Sequence, residues 1–286
     1  MSMTNWARVT VPELQRMRSN GDRIVALTAY DYVMARILDT AGVDVILVGD
    51  SLGNVVQGNE TTLPVTLDEM IYHARMVTRA VERALVVVDM PFMSFQLGAK
   101  EALIAAGRII KETGASAVKL EGGTKVAEAI RAIVDADIPV MGHIGLQPQS
   151  VNKMGGYKVQ GKDPSDAERV LHDASAVEKA GAFAVVLEGI PAELSQKITA
   201  KLDIPTIGIG AGVHCSGQIL VVNDLIGLVA PDATHSPKFV RRYAQVGEII
   251  ASAVAEFGND IRAAKFPGDE QSYSSSQKPQ LQRVPK

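Results

Sequence analysis

The sequence predicts a single α/β domain closed as a (β/α)8 barrel, and three observations carry that prediction. Strand-like and helix-like stretches alternate along nearly the whole chain, which implies a parallel sheet with crossover helices. Eight strand candidates can be counted, the number that closes such a barrel. No GxGxxG follows the first of them, which counts against an open dinucleotide-binding sheet.

Segment 11–18 reads as a short helix placed to plug the barrel bottom. Strands follow at 24–28, 44–48, 84–88, 117–120, 139–143, 184–187, 206–209 and 219–222. Most are short apolar runs without polar alternation, the pattern of a strand buried on both faces. Amphipathic stretches at 67–81, 99–113, 125–135, 166–179 and 192–201 supply helices between them. Thr66 with Glu69, and Ser165 with Glu168, have the spacing of a capping box. AGVDVILVGD (41–50), TGASAVKLEG (113–122) and AGAFAVVLEG (180–189) read as one repeated unit. In each, a Gly closes a helix, an apolar strand follows and an acid ends the run. Loops 51–64 and 145–162 are long enough to be lids or binding loops. A helical pattern at 244–264 completes the domain, taken as residues 1–266. The remainder, 267–286, is too polar to pack and is expected to be a disordered tail.

Composition narrows the function. Apolar residues make up 47% of the chain and aromatics 5%, so Val, Ile, Leu and Ala must fill the core. The net charge is -3 with dispersed lysines and arginines, which argues against nucleic acid as a partner. No apolar run reaches the roughly 18 residues of a membrane span, and no secretory leader is visible. One cysteine, Cys215, leaves no intrachain disulfide or cysteine-cluster zinc site. A cytoplasmic protein is expected.

Four apolar runs end in acids: Asp50, Asp89, Glu121 and Glu188. A carboxylate is costly to bury unless paired or metal-bound. Strand C-termini of a barrel converge on one face, so these acids are expected to share a site. Acids this close would repel and raise one another's pKa unless a cation were present. Magnesium, held by two or three carboxylates and keeping waters a substrate can displace, fits best; manganese stays open. His73, His172, His214 and His235 fall elsewhere, which argues against a three-histidine zinc site. Lys119 interrupts an apolar strand two residues before Glu121, so both project to one side and the ammonium needs an acidic partner. His143, at the end of the fifth strand, reads equally as a site residue or as a buried hydrogen-bonded histidine. Such a metal suits a 2-oxo acid, with Lys119 adding positive charge and an acid outside the metal sphere taking an α-proton. Glu188, farthest from the Asp50–Asp89 pair, is the best candidate base.

LTAYDY (27–32), VGDSLGNVVQG (48–58), TTLPVTLDEMIYH (61–73), DMPFMSF (89–95), KLEGG (119–123), PVMGHIGLQPQSVNKMGGYKVQGK (139–162) and GIGAG (208–212) resemble the ketopantoate hydroxymethyltransferase family. The resemblance runs from about residue 24 to about residue 258. It implies a barrel of the phosphoenolpyruvate/pyruvate type. It also implies transfer of a one-carbon unit from 5,10-methylenetetrahydrofolate to 3-methyl-2-oxobutanoate, on the route to pantothenate. By the same resemblance Asp50, Ser51, Asp89 and Lys119 bind the oxo acid, and His143 lines the site. Asp50, Asp89 and Glu121 become the metal-associated acids, and Glu188 the proton acceptor. Members of the family form large homo-oligomers, often decamers. One departure stands out: Ser216 occupies the place of an Asp usual in the family, and a weaker folate loop is the expected consequence. Lyases and mutases on the same scaffold are the rival reading, but they typically carry a reactive lid cysteine, and Cys215 lies outside the predicted lid.

Overall fold

The computed structural model describes residues 7–230 and 237–274. Its eight parallel strands follow one another in sequence order around a closed barrel. They are β1 (Ile24–Thr28), β2 (Val45–Val48), β3 (Leu85–Asp89), β4 (Ala117–Glu121), β5 (Val140–Gly145), β6 (Ala184–Glu188), β7 (Thr206–Ile209) and β8 (Gly217–Leu220). Ile24 pairs with Gly217 and Ala26 with Val45, so β1 joins β8 to β2 and closes the ring.

The helices are α1 (Val11–Asn20), α2 (Tyr32–Thr40), α3 (Leu52–Val55), α4 (Leu67–Ala80), α5 (Ala99–Thr113), α6 (Ala127–Val134), α7 (Val151–Met154), α8 (Pro164–Lys179), α9 (Ala192–Lys201), α10 (Val222–Ile226) and α11 (Val246–Arg262). Thr66 and Glu69 cap α4 reciprocally, as their spacing predicts. Ser165 does not cap α8. Pro164 takes the first helical position, where its fixed φ is an advantage, so the cap moves back to Asp163, which accepts from the Asp166 N–H.

Strand alternation divides the apolar residues into two cores. Even positions such as Ile46, Val86, Val118 and Leu120 face the helices, where they meet Ala74, Val77, Ile109 and Ile130. Inward residues such as Val45, Leu47, Val87, Ala117 and Met141 fill the barrel, and Leu14 of α1 packs among them. The Val9 N–H donates to Arg83 O, just before β3, so the N-terminal segment lies across the end where the strands begin.

The regular alternation breaks once. Residues 210–216 join β7 to β8 without a helix. Ser216 and Thr206 exchange two backbone-to-hydroxyl hydrogen bonds, which pins the start of β8 beside the start of β7. Consequently β8 begins two residues before the expected 219–222, and Val222 opens α10 instead. The same contacts correct the reading of Ser216. It sits at the strand-start end, opposite the face where the acids gather, so it cannot weaken a loop over that face.

Helix α11 contains no buried residue, and Ile249, Val254 and Phe257 are exposed along it. A short 3-10 turn, Asp269–Gln271, follows; of the expected tail, 275–286 lies outside the described residues. No helix among the described residues is long and apolar enough to cross a membrane.

Candidate active site

Register delivers the polar side chains to one place. Asp89 pairs with Lys119, Glu121 with His143 and Gly145 with Glu188, so consecutive strands present them at the same end. All but Gly145 carry inward positions of their strands, continuing the rows that begin with Val87, Ala117, Met141 and Val186. Asp50 lies two residues beyond β2, in a turn, and its N–H donates to Asp89 Oδ2 at 3.0 Å. That turn requires Gly49: an added Cβ would stand 2.8 Å from Ser51 Oγ. Gly145 is required too, with φ 91° and the Glu188 carbonyl 2.3 Å from the place of a Cβ.

The cluster is tightly linked. The Lys119 ammonium lies 2.8 Å from Asp89 Oδ1 and 3.0 Å from His143 Nδ1. His143 Nδ1 is 3.5 Å from Glu121 Oε1, and Nε2 is 3.0 Å from Glu188 Oε2. Ser51 Oγ meets the Tyr30 hydroxyl at 2.8 Å. The side chains of Asp89, Lys119, Glu121 and His143 are about 95% buried, whereas that of Glu188 is 15% exposed, at the mouth.

Burial and the charges of Asp89 and Glu121 push the Asp50 carboxyl well above the usual carboxylate range, and Lys119 only partly offsets them. Burial also raises Asp89, against the pull of Lys119. For His143, burial and the Lys119 ammonium act downward, but hydrogen bonds to Glu121 and Glu188 outweigh them and lift the imidazole to about 9. Burial alone would raise Glu121; His143, Lys119 and the Gln149 N–H instead hold it low.

These residues fit a hard divalent cation through two carboxylates. Asp50 and Asp89 adjoin, are oxygen donors, and carry more buried negative charge than Lys119 balances. Mg2+ commonly takes one or two carboxylates and fills its octahedron with water and substrate. The third acid expected of the set, Glu121, stands in the same cluster. No group of three or more His, Cys, Asp or Glu among the described residues is placed to hold a metal ion. Glu121 is already engaged, its Oε2 by the Gln149 N–H at 3.0 Å and its Oε1 by His143.

Gln149 is the residue that sequence reasoning missed. Its side-chain amide donates to Asp50 Oδ2 at 2.9 Å and to the Met90 carbonyl at 3.0 Å. It bears no charge and sits in an irregular loop, so neither periodicity nor residue class marks it. The Pro148 beside it, which starts the 3-10 turn Pro148–Ser150, is the only local signal. Thr62 was likewise missed; its buried Oγ1 has no hydrogen-bond partner among the described residues, and Thr62 lines the same cavity.

The cluster forms the floor of a cavity of about 1050 Å3. Drug-sized ligands occupy sites of about 300–1,000 Å3, so a small acid would fill only part of it. Tyr157 and Lys158, from the expected lid 145–162, form part of its wall.

The profile of the ketopantoate hydroxymethyltransferase family matches residues 8–269. A 3-methyl-2-oxobutanoate hydroxymethyltransferase from Syntrophotalea carbinolica is 57% identical over 267 residues, covering 93% of this chain and 99% of that protein. The enzyme of the same name from Geobacter sulfurreducens is 56% identical over 265 residues, covering 93% and 98%. Among solved structures, a phosphonopyruvate hydrolase complexed with oxalate and Mg2+ superposes with TM-score 0.59 at 13% identity, covering 93% and 92% of the two chains. A 2,3-dimethylmalate lyase gives TM-score 0.57 at 17% identity over 92% and 91%. These structural likenesses concern the barrel fold.

Proposed function

The chain belongs to the ketopantoate hydroxymethyltransferase family and is a hydroxymethyltransferase, and from that premise we propose how its site works. The acceptor is 3-methyl-2-oxobutanoate, the donor is 5,10-methylenetetrahydrofolate, and the product is 2-dehydropantoate, on the route to pantothenate and coenzyme A. Asp50 and Asp89 would hold Mg2+, or Mn2+ in its place, and the bound metal would polarise the carbonyl of the oxo acid. Glu121 acts through His143 and Gln149 rather than as a ligand.

Glu188 takes the proton from the branched carbon of the oxo acid. His143, 3.0 Å away, holds the carboxylate in place and balances its charge before the transfer. The buried Lys119 ammonium stabilises negative charge growing on the substrate oxygen. Ser51, steadied by Tyr30, binds the substrate carboxylate. The new carbon–carbon bond forms to the methylene carbon of the donor. One of the two C–N bonds that hold that carbon opens before the attack and the other when water delivers the hydroxyl oxygen; the two freed nitrogens of tetrahydrofolate keep the electron pairs and take up the proton held by Glu188 and one proton from the water.

The observation that carries this reading is the arrangement across the cavity floor. A carboxylate pair suited to a cation and a lysine stand on one side, and a mouth-facing acid with its own histidine stands on the other. Product should form only when oxo acid, folate donor and Mg2+ are all supplied. Glu188→Gln should lower α-proton exchange in the oxo acid, followed by NMR, by about 100-fold or more, with oxo-acid affinity nearly unchanged. Retained exchange would remove Glu188 from its role. We also propose that the chain works in the cytoplasm as a homo-oligomer, a decamer by family likeness. The uncovered apolar residues Ile249, Val254 and Phe257 of α11 support association; a monomeric mass in sedimentation would refute it.

A further inference from the structure

The acids of the site stand on β2 through β6, and the cavity extends well beyond them. On its β8 side it is walled by Leu220, Val221 and Phe239 and carries one more acid, Asp224. Phe239 closes against Gly210, where an added Cβ would stand 2.7 Å from the ring. Asp224 lies in the first turn of α10, a position where an acid often serves the helix end. Here its side chain accepts no hydrogen bond from that turn, since the cap residue is Val221 and no side-chain cap bond is made. Among the described residues it forms no ion pair; Arg242 acts on it only from a distance. Partial burial raises its pKa, as expected for a carboxylate held against apolar walls.

A half-buried carboxylate in such a place, with no protein donor beside it, is well set to take a donor that arrives with a ligand and displaces its water. The oxo acid cannot be that ligand, because it is itself an anion and is accounted for by Lys119 and the carboxylate pair. The reduced pterin of the proposed donor is different. Its 2-amino-4-oxo edge presents a ring N–H and an exocyclic N–H side by side, spaced to meet the two oxygens of one carboxylate. Its faces are flat and apolar enough to lie against Leu220, Val221 and Phe239.

We propose that Asp224 is the residue that recognises the one-carbon donor, accepting two hydrogen bonds from the amino-pyrimidine edge of its pterin. The assignment rests on the reading of the donor as a folate and adds the group that selects it. The cavity is thereby divided between two substrates. Its β2–β6 side activates the acid, and its β8 side orients the donor.

The test compares wild type with Asp224→Asn, which keeps the shape but replaces one accepting oxygen with a donor. The KM for 5,10-methylenetetrahydrofolate should rise about tenfold to a hundredfold, the range for a lost charged hydrogen bond. The KM for 3-methyl-2-oxobutanoate and its donor-free α-proton exchange should stay within about twofold. A second measurement needs only wild type: a donor analogue lacking the 2-amino group should react at least about tenfold less efficiently. Asp224→Asn should lose that discrimination. A wild-type enzyme that makes no product from the folate donor overturns the donor reading and this assignment together. A wild-type enzyme that uses it, beside a variant of unchanged donor KM or an equally accepted 2-desamino donor, overturns the assignment alone.

Discussion

His143 joins the two sides of the polar floor, touching Lys119 and Glu121 through one nitrogen and Glu188 through the other. Its folded-state value of about 9 lies above the ordinary 6.5 because two carboxylates outweigh burial and the nearby ammonium. A group raised on folding stabilises the fold fully below its unfolded value, and that contribution disappears as the pH climbs through its folded value. In metal-free enzyme the melting temperature should therefore decline between pH 6.5 and 9, and His143→Gln should flatten the decline. NMR should find the imidazole titrating near 9; a midpoint near 6.5 would show that the carboxylates do not control it. Asp50 and Asp89 make a second residue-scale prediction. Replacing either with Ala should lower Mg2+ affinity about tenfold or more in calorimetry, and an unchanged isotherm would exclude that residue as a ligand.

Among the elements, the loop between β5 and α8 joins floor to wall. Gln149 anchors its start on Asp50, Glu121 and Met90, while Tyr157 and Lys158 of the same loop face the cavity. Gln149→Leu removes the side-chain bonds and leaves Asp50 Oδ2 and the Met90 carbonyl short of a donor. A loss of about 1–3 kcal/mol is expected for such groups. Hydrogen exchange should quicken through residues 146–160; lost stability with unaltered exchange there would mean that Gln149 does not tether the loop. The sequence marks this segment as a long Gly-rich loop. It cannot reveal that an uncharged Gln inside it bonds to an acid 99 residues away, because that contact exists only once the barrel closes.

At the scale of the whole molecule, the two ends of the barrel have separate duties. Leu14, fully buried, packs with the inward rows where the strands begin, while the charged cluster occupies the end where they finish. Leu14→Ala should therefore cost about 2–5 kcal/mol in denaturant unfolding, as core truncations do. The kcat should stay within about twofold at temperatures well below melting, since Leu14 packs at the end of the barrel opposite the charged cluster. A large loss of kcat in the folded variant would show that the two ends are coupled.

Local chemistry alone sufficed for much of this protein. Apolar runs located the strands to within two residues, the Thr66–Glu69 pair capped its helix, and acids closing successive runs named Asp50, Asp89, Glu121 and Glu188. Alternation carried Lys119 and Glu121 to the same side, because the two-residue period of a strand is a property of the chain itself. Other features depended on closure of the barrel. Only the assembled structure shows Glu121 committed to His143 and Gln149, Ser216 at the far end, the β7–β8 link without a helix, and Asp224 facing the same cavity. The physical reason is range. Propensity, periodicity and capping act over a few residues, whereas partnership among buried charges is decided by which strands become neighbours and in what register.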